Sequence, residues 1–213
     1  MPTPTLIWDL DGTLLDSYRM IVPSLRQYYA EQGVFLETEE IRRQVLERSV
    51  RDFAARVEAK TGVSLEAGAA RYEEIRRELE GRMEAMPHAR EVLLALKARG
   101  VEHCIFTHRG SSTGPLLERT GLAGLFADQI TAEDGYPRKP SPEALLALMA
   151  RQSLDPADCF YVGDRQLDMD CAHRAGIRGI LYAPADSPVA VHGADLVIRE
   201  LRELLELPEL KTS

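Results

Sequence analysis

The residues of this sequence that could do chemistry begin near its amino terminus, where two carboxylates lie two positions apart. Asp9 and Asp11 follow the apolar run 6–8, which is typical of the end of a buried parallel strand, and Gly12 marks a turn. At this spacing in an extended chain, the two side chains lean to the same side of the sheet edge. Like charges this close repel strongly where water is scarce. The stretch therefore predicts a site with a bound cation or a shared proton.

Further polar residues stand where later strands are predicted to end. Asp164 and Asp168 follow a strand at the start of a helix, which places the two carboxylates one turn apart on the same helix face. Lys139 lies in a loop, where the proline that follows disfavours a helical conformation and keeps the lysine extended. Chemistry in parallel sheets lies at the carboxyl ends of the strands, so we expect these residues at one edge. Three more residues follow another strand towards the same edge: Thr107, His108 and Arg109.

The elements that must position these residues alternate between strands and helices. After the first strand, five more are predicted, near 103–107, 129–131, 159–163, 179–182 and 195–198. Helices between them imply right-handed crossovers and a mostly parallel sheet that is covered on both faces. The sequence therefore predicts an α/β fold with a three-layer, Rossmann-like catalytic core over residues 1–16 and 87–213, and a closing helix at the carboxyl end.

Residues 17–86 interrupt this alternation, because they contain no convincing strand. Residue types that begin helices recur along the block: Asp16 or Ser17, Thr38, Ser49 and Ser64. The block is therefore predicted to be a small all-helical domain inserted just after the first strand.

The composition excludes several classes of protein. The chain has 213 residues, 45% of them hydrophobic and 28% charged, which is ordinary for a globular protein. A net charge of −8 without a basic run argues against nucleic acid as a partner. Three cysteines without metal-ligand spacing argue against a disulfide framework and against structural zinc. No apolar run approaches the ~20 residues of a membrane helix and the amino terminus lacks a signal-peptide pattern, so a cytoplasmic protein without a membrane partner is expected.

Taken together, the motifs resemble those of the haloacid dehalogenase superfamily of hydrolases. Asp-x-Asp-Gly-Thr at 9–13, a strand-end Thr107, a loop Lys139 and Gly-Asp-x-x-x-Asp at 163–168 occur in the family's order. The resemblance covers the whole chain, because one subgroup has a helical cap inserted after the first strand, as at 17–86. Phosphoglycolate phosphatases are the nearest named subgroup. The resemblance implies a Mg²⁺-dependent phosphatase that hydrolyses a small phosphorylated metabolite through an aspartyl-phosphate.

The resemblance also implies a role for each acidic residue. Asp9 would be the nucleophile that attacks phosphorus, and Asp11 would protonate the leaving alkoxide and then take a proton from water. A hard, oxygen-preferring cation suits a site of carboxylates without His or Cys, and Mg²⁺ is the natural choice. Its ligands would be the Asp9 carboxylate, the Asp11 backbone carbonyl and the Asp164 carboxylate. Asp168 would contact the ion through a water molecule, or would contact the ligands of the ion and not the ion itself.

Substrate-binding roles are assigned in the same way. Thr107 and Lys139 would hold the phosphoryl oxygens, and Lys139 would also restrain the nucleophile. His108 and Arg109 depart from the family pattern, in which a small polar residue often follows the threonine, so they either contact substrate or shape the loop. Arg51, at the start of a helix in the inserted block, would bind a phosphate or carboxylate of the substrate, with a solvated helix charge as the alternative.

Other functions share parts of this pattern. A phosphosugar mutase similar to β-phosphoglucomutase forms the same intermediate, and a 2-haloacid dehalogenase needs the nucleophile but neither metal nor Asp11. A phosphonate hydrolase would have a small residue at that position and a catalytic cap lysine, whereas the inserted block contains only Lys60. A non-catalytic sensor of phosphometabolites, the substrate and the oligomeric state (monomer or homodimer) stay open. Each residue also has a structural alternative: a turn residue for Asp11, a helix-terminal charge for Asp168, a strand residue for Thr107 and a surface charge for Lys139.

Overall fold

In the computed structural model of the protein, which describes residues 4–185, 187 and 192–211, six strands form one parallel sheet. Their bounds are β1 Thr5–Trp8, β2 Glu102–Phe106, β3 Asp128–Ile130, β4 Cys159–Gly163, β5 Arg178–Tyr182 and β6 Leu196–Ile198. The spatial order is β3-β2-β1-β4-β5-β6, so β1 is central and the chain moves outward from it in both directions. The predicted α/β class with a Rossmann-like sheet is confirmed.

Eight α-helices accompany the sheet within the described ranges. Their bounds are α1 Tyr18–Glu31, α2 Thr38–Glu47, α3 Val50–Thr61, α4 Ala69–Glu80, α5 Ala89–Ala98, α6 Thr113–Arg119, α7 Glu143–Gln152 and α8 Gln166–Arg174. Measured over the same part of the chain, none of them combines the length and the apolar character that a bilayer crossing requires.

Helices cover both faces of the sheet. Alternate residues of each strand point to opposite faces, and apolar side chains on each face pack against helices. Ile7, Phe106 and Tyr161 belong to a buried cluster that includes apolar side chains of α7 and α8. On the opposite face of β2, the His103 ring is hydrogen-bonded to the Leu93 carbonyl of α5. A strand that is covered on both faces has no solvent-facing side that would carry polar residues. For this reason the central strands are nearly continuous apolar runs in the sequence.

Register brings the ends of the three central strands to one level. Trp8, the last residue of β1, is in register with Ile105 of β2 and with Val162 of β4. All three strands therefore end within one residue of each other. The residues that immediately follow them are Asp9, Thr107 and Asp164, which lie at the same edge of the sheet.

The described residues divide into two compact units, one containing residues 4–15, 85–185, 187 and 192–211, and the other 16–84. The first contains the sheet, and the second contains only α1–α4 with their loops. The core of the helical unit is formed by side chains from all four helices: Leu25, Tyr29, Ile41, Phe53 and Ile75. The catalytic and cap roles of the predicted domains 1–16 with 87–213 and 17–86 stay predictions.

The start of α4 differs from the sequence prediction. A helix from Ser64 was expected, but α4 begins at Ala69. The Ser64 carbonyl instead accepts a hydrogen bond of 2.6 Å from the Tyr28 hydroxyl of α1. Gly68 passes so close to the same side chain that a Cβ there would lie 2.0 Å from the Tyr28 oxygen. Packing against α1 therefore delays the helix, and no local pattern indicates this.

The carboxyl-terminal segment is helical, as predicted, and it consists of two 3₁₀ helices, Leu201–Glu206 and Pro208–Leu210. Leu201, Leu204 and Leu210 are buried, and this spacing in multiples of three suits a helix with three residues per turn. Pro208 lacks a backbone N–H and disfavours a helical conformation at the residue before it. The period of three was visible in the sequence and indicates the 3₁₀ form.

Candidate active site

Asp9 is the first residue beyond the central strand. Its backbone N–H still donates to the Val162 carbonyl of β4, at 2.9 Å, so the residue is held in line with the sheet. The chain then turns sharply at Gly12, whose φ of 86° lies in the left-handed region that glycine adopts without steric cost. The Asp9 side chain is buried at the end of the strand.

Three of the residues predicted to bind metal come together at this edge. Asp9, Asp164 and Asp168 are all buried, and one carboxylate oxygen of each lies within 4.8 Å of the others. Asp164 follows β4 directly, and Asp168 projects from the first turn of α8. The fourth, Asp11, is three residues beyond the end of β1. Carboxylate oxygens within 4.8 Å of each other allow Asp9 and Asp164 to share one small cation.

Lys139 lies among these carboxylates. Its Nζ is 2.8 Å from Asp9 Oδ1 and 2.9 Å from Asp168 Oδ1, and the three side chains are 1%, 3% and 0% exposed. Burial alone would lower the pKa of Lys139, but the charges of Asp168 and Asp9 more than offset burial and hold that pKa above its usual value. Lys139 is therefore charged, and it neutralises part of the acidic cluster.

Asp168 has both carboxylate oxygens engaged within the protein. Oδ1 contacts Lys139, and Oδ2 accepts the backbone N–H of Arg165 at 3.0 Å. Gly163 permits this position, since a Cβ there would lie 2.4 Å from the Asp168 Cβ. These contacts make Asp168 a partner of Lys139. The predicted water-mediated contact between Asp168 and an ion stays a prediction.

The Asp9 carboxylate is incompletely satisfied by protein groups. Burial raises its pKa to about 6, with Lys139 opposing the rise and Asp168 adding to it. Its Oδ2 is buried and, within the part of the chain that the structure describes, has no hydrogen-bond partner. A buried acceptor without a donor is costly. A divalent cation beside Oδ2 would remove that cost, and an all-oxygen donor set suits Mg²⁺.

Thr13, the last residue of the motif at 9–13, is a further member of this site for which the sequence pattern predicts no role. Its side chain is fully buried, and its hydroxyl donates to Asp164 Oδ1 at 3.3 Å. The contact orients a carboxylate that follows a different strand. A buried threonine directly after a turn needs a distant polar partner, and that need was the available signal.

The residues after β2 are arranged around the same edge. Thr107 is buried, and its hydroxyl oxygen accepts the backbone N–H of Arg109 at 3.1 Å, which closes a tight turn. The guanidinium of Arg109 donates to Asp11 Oδ1 and to the Ser112 hydroxyl. Arg109 therefore orients the carboxylate of Asp11, the predicted acid and base.

His108 contacts the loop that carries Lys139. Its Nε2 lies 2.9 Å from the backbone nitrogen of Lys139 and accepts that N–H. Burial lowers the pKa of His108 to about 2, and the positive charge of Lys139 contributes. The ring is therefore neutral, as an acceptor nitrogen requires. This contact agrees with the alternative that His108 shapes the loop, whereas its predicted contact with substrate stays a prediction.

Arg51 belongs to the helical unit and is exposed in the first turn of α3. That helix begins at Ser49, whose hydroxyl oxygen accepts the Asp52 backbone N–H at 3.0 Å. The structure therefore confirms the predicted helix start, and the substrate-binding role of Arg51 stays a prediction.

Comparison with known sequences identifies relatives along most of the chain. The sequence profile of the haloacid dehalogenase-like hydrolase family matches residues 6–182. Phosphoglycolate phosphatase 1 of Pseudomonas aeruginosa is 30% identical over 211 residues, covering 94% of this chain and 78% of that protein. N-acetylmuramic acid 6-phosphate phosphatase of the same organism is 26% identical over 97% of this chain and 95% of its own. Pyrophosphatase PpaX of Oceanobacillus iheyensis is 28% identical over 97% of both chains.

Solved structures share the fold. A conserved haloacid dehalogenase-like protein of Agrobacterium tumefaciens superposes with a TM-score of 0.81 at 22% identity, over 96% of both chains. A hydrolase of Deinococcus radiodurans with bound phosphate and sodium has a TM-score of 0.76 at 22% identity, over 95% of this chain and 93% of that one. At these identities the likeness shows a common architecture.

Proposed function

This chain belongs to the haloacid dehalogenase-like hydrolases, and on that premise we propose that it is a Mg²⁺-dependent phosphatase of a small phosphorylated metabolite. The observation that carries the proposal is the buried Asp9 carboxylate. Lys139 holds its Oδ1, while Oδ2 has no hydrogen-bond partner among the described residues. A carboxylate fixed at one oxygen and unsatisfied at the other is suited to bind a cation and to attack phosphorus.

The residues that would hold Mg²⁺ are Asp9, Asp164 and the backbone carbonyl of Asp11. When bound, the ion would neutralise charge between the anionic nucleophile and the anionic phosphoryl group. Thr13 would keep Asp164 in place for this role through the hydroxyl contact described above. The donor set contains only oxygen atoms, which a hard cation prefers.

In the first half of the proposed reaction, Asp9 attacks the phosphorus of the substrate. A bond forms between a carboxylate oxygen and phosphorus, and the bond from phosphorus to the ester oxygen breaks. Asp11 gives its proton to the leaving oxygen, so the product departs as a neutral alcohol. Arg109 would hold the Asp11 carboxylate in a fixed orientation.

In the second half, water attacks the phosphorus of the aspartyl-phosphate. Asp11, now ionised, takes a proton from that water, and the Asp9 carboxylate leaves as phosphate is released. Lys139 and Thr107 would hold the phosphoryl oxygens through both steps. A lysine ammonium has three N–H donors, and two of them are directed to Asp9 and Asp168. The third is then the donor for a phosphoryl oxygen.

The substrate class is supported by the relatives, whose names mention phosphoglycolate, N-acetylmuramic acid 6-phosphate and pyrophosphate. We propose that this chain likewise acts on a small phosphate compound in the cytoplasm, as a monomer or homodimer, and that Arg51 and the helical unit select the substrate. Because these relatives are named as phosphatases, they favour hydrolysis over the mutase alternative. Inorganic phosphate as product supports hydrolysis, and an isomerised sugar phosphate supports a mutase.

The test is release of phosphate by the purified protein, first from p-nitrophenyl phosphate and then from a panel that contains the relatives' three compounds. We expect turnover with Mg²⁺, loss of turnover with excess EDTA, and recovery when Mg²⁺ is restored. Asp9→Asn should lower turnover by about 1,000-fold or more, because the amide is a poor nucleophile. Glu118→Gln also replaces a carboxylate by an amide, at an exposed residue, and is the control. Unchanged turnover in Asp9→Asn would remove the nucleophile from the proposal.

A further inference from the structure

Two aromatic rings lie against the buried ammonium of Lys139. Its Nζ is 5.0 Å from the centroid of the Phe106 ring and 5.1 Å from that of Tyr161. Both side chains are essentially inaccessible, at 2% and 0% exposure. The two rings are themselves in contact, with centroids 6.2 Å apart and planes inclined by 46°. The ammonium therefore has two carboxylates and two aromatic faces as neighbours.

We propose that Phe106 and Tyr161 act as positioning residues, an aromatic clamp that holds the Lys139 ammonium in place to donate to a phosphoryl oxygen. The clamp is the pair of rings together with the hydrogen bond between the two residues. The inference deepens the proposed function and rests on it for the role of Lys139.

Aromatic faces suit this task because they attract a cation without using one of its N–H donors. A ring within about 6 Å of a cation attracts it through the ring's negative face. A polar neighbour, such as a glutamine or a third carboxylate, would instead accept a hydrogen bond. Two of the three donors of Lys139 are already directed to Asp9 and Asp168. Because neither ring offers an oxygen or nitrogen acceptor, the third donor is kept for the substrate.

The hydroxyl of Tyr161 secures the clamp. It donates to the Phe106 carbonyl at 3.0 Å, and a buried tyrosine hydroxyl needs such a partner. Phe106 is the last residue of β2 and Tyr161 lies in β4, so the bond spans the face of β1, the strand that ends before Asp9. The clamp therefore links the two strands that flank the proposed nucleophile.

The first test observes Lys139 directly and does not depend on turnover. The sequence has four lysines, at positions 60, 97, 139 and 211, so a protein labelled with ¹³C at lysine Cε should have four resolvable signals. Ring currents of two facing rings should displace one signal upfield, and Lys139→Arg should identify it by its loss. Tyr161→Leu should move that signal towards the position of the others.

Phe160→Leu is the matched control. Phe160 is the preceding residue of β4, is equally buried, and has its ring 3.9 Å from the guanidinium carbon of Arg178 on the opposite face of the strand. The Phe160→Leu substitution removes a core ring of similar size and leaves the clamp intact, so the chemical shift of the displaced lysine signal should not change. A signal that responds equally to both leucine variants, or to neither, overturns the clamp.

The second test compares rates under saturating Mg²⁺. Tyr161→Leu should lower kcat for p-nitrophenyl phosphate by about tenfold. Tyr161→Phe should restore most of that loss, because the ring is retained, and Phe160→Leu should keep the wild-type kcat. Equal kcat in Tyr161→Leu and Phe160→Leu overturns the inference. A wild-type protein that releases no phosphate contradicts the proposed function instead, and the lysine signal still reports whether the rings hold Lys139.

Discussion

Lys139 and Arg71 are each at the centre of an ion-pair cluster with two carboxylates, and the two clusters differ chiefly in burial. Lys139 has its carboxylate oxygens at 2.8 and 2.9 Å and a side chain that is 1% exposed. Arg71, on α4, has its carboxylate oxygens at 2.8 and 3.1 Å and a side chain that is 40% exposed. Contact distance therefore does not distinguish them. The same geometry therefore has different consequences in the two clusters, according to whether water can replace a lost partner.

On the surface, water solvates whichever ion is left when a partner is removed, so an exposed pair contributes little to stability. In the interior, the remaining ion has no substitute partner, and each member of the cluster depends on the others. The cluster around Lys139 is also where the unsatisfied Asp9 oxygen lies. Buried charge is therefore retained in this protein at the place where the proposed chemistry needs it.

The largest expected effect is that of Lys139→Met, which removes the buried cation and leaves Asp9 and Asp168 facing each other. We expect the free energy of unfolding at neutral pH to fall by about 3–5 kcal/mol, measured by urea denaturation. Adding Asp168→Asn should recover part of the loss, because one of the unpaired charges is removed. A loss as small as that of an exposed pair would contradict the contrast between the two clusters.

The second effect extends the comparison to a buried group that is neutral. Trp8 Nε1–H donates to His103 Nδ1 at 3.2 Å, and the other ring nitrogen lies 3.0 Å from the Leu93 carbonyl, so the ring is neutral with its proton on Nε2. Burial lowers the pKa of His103 to about 4. In the unfolded chain the histidine has a pKa near 6.5, so between about pH 4 and 6.5 it binds a proton that it does not bind in the folded protein.

Stability from His103 should therefore be complete above about pH 6.5 and decrease as the pH falls towards 4, by about 3 kcal/mol at most. Urea denaturation at several pH values measures the decrease. His103→Gln cannot titrate, so its stability should change less over this range than that of the wild type. Parallel pH profiles for the two proteins would show that other groups cause the decrease.

The third effect concerns the affinity of the buried carboxylates for Mg²⁺. Asp164→Ala should weaken Mg²⁺ binding by about tenfold or more, measured by titration calorimetry on the metal-free protein. Glu118→Ala, which removes an exposed acid, should leave the affinity unchanged. Equal affinities in the Asp164 variant and the wild type would contradict the ligand assignment, whatever the activity of the variant.

The smallest expected effect is that of Arg71→Ala. The contacts with Glu31 and Glu74 are exposed, so the urea midpoint should stay within experimental error of the wild type. Raising the salt concentration should likewise leave the difference between the two proteins near zero. A large loss of stability would show that burial does not separate the two clusters.

Much of the fold was predictable because it depends on local patterns. Apolar runs marked the central strands, and the capping residue Ser49 marked the start of α3. Prediction failed where a distant side chain intervened, as at Ser64, whose carbonyl is taken by Tyr28. It also gave no role to Thr13 or Tyr161, because the residues they contact, Asp164 and Lys139, lie elsewhere in the sequence.

Three features could be inferred from the amino-acid sequence alone: the α/β class, the resemblance to a hydrolase family, and the edge of the sheet at which the chemistry-bearing residues gather. The fold class and the edge follow from short-range periodicity and from the rule that parallel strands end together. The family follows from the resemblance of the motifs at 9–13 and 163–168. The pairing of charges became visible only in the folded protein: Lys139 pairs with Asp168, 29 positions away, and Arg109 with Asp11, 98 positions away. Such pairs depend on strand register and side-chain direction, which no stretch of neighbouring residues encodes.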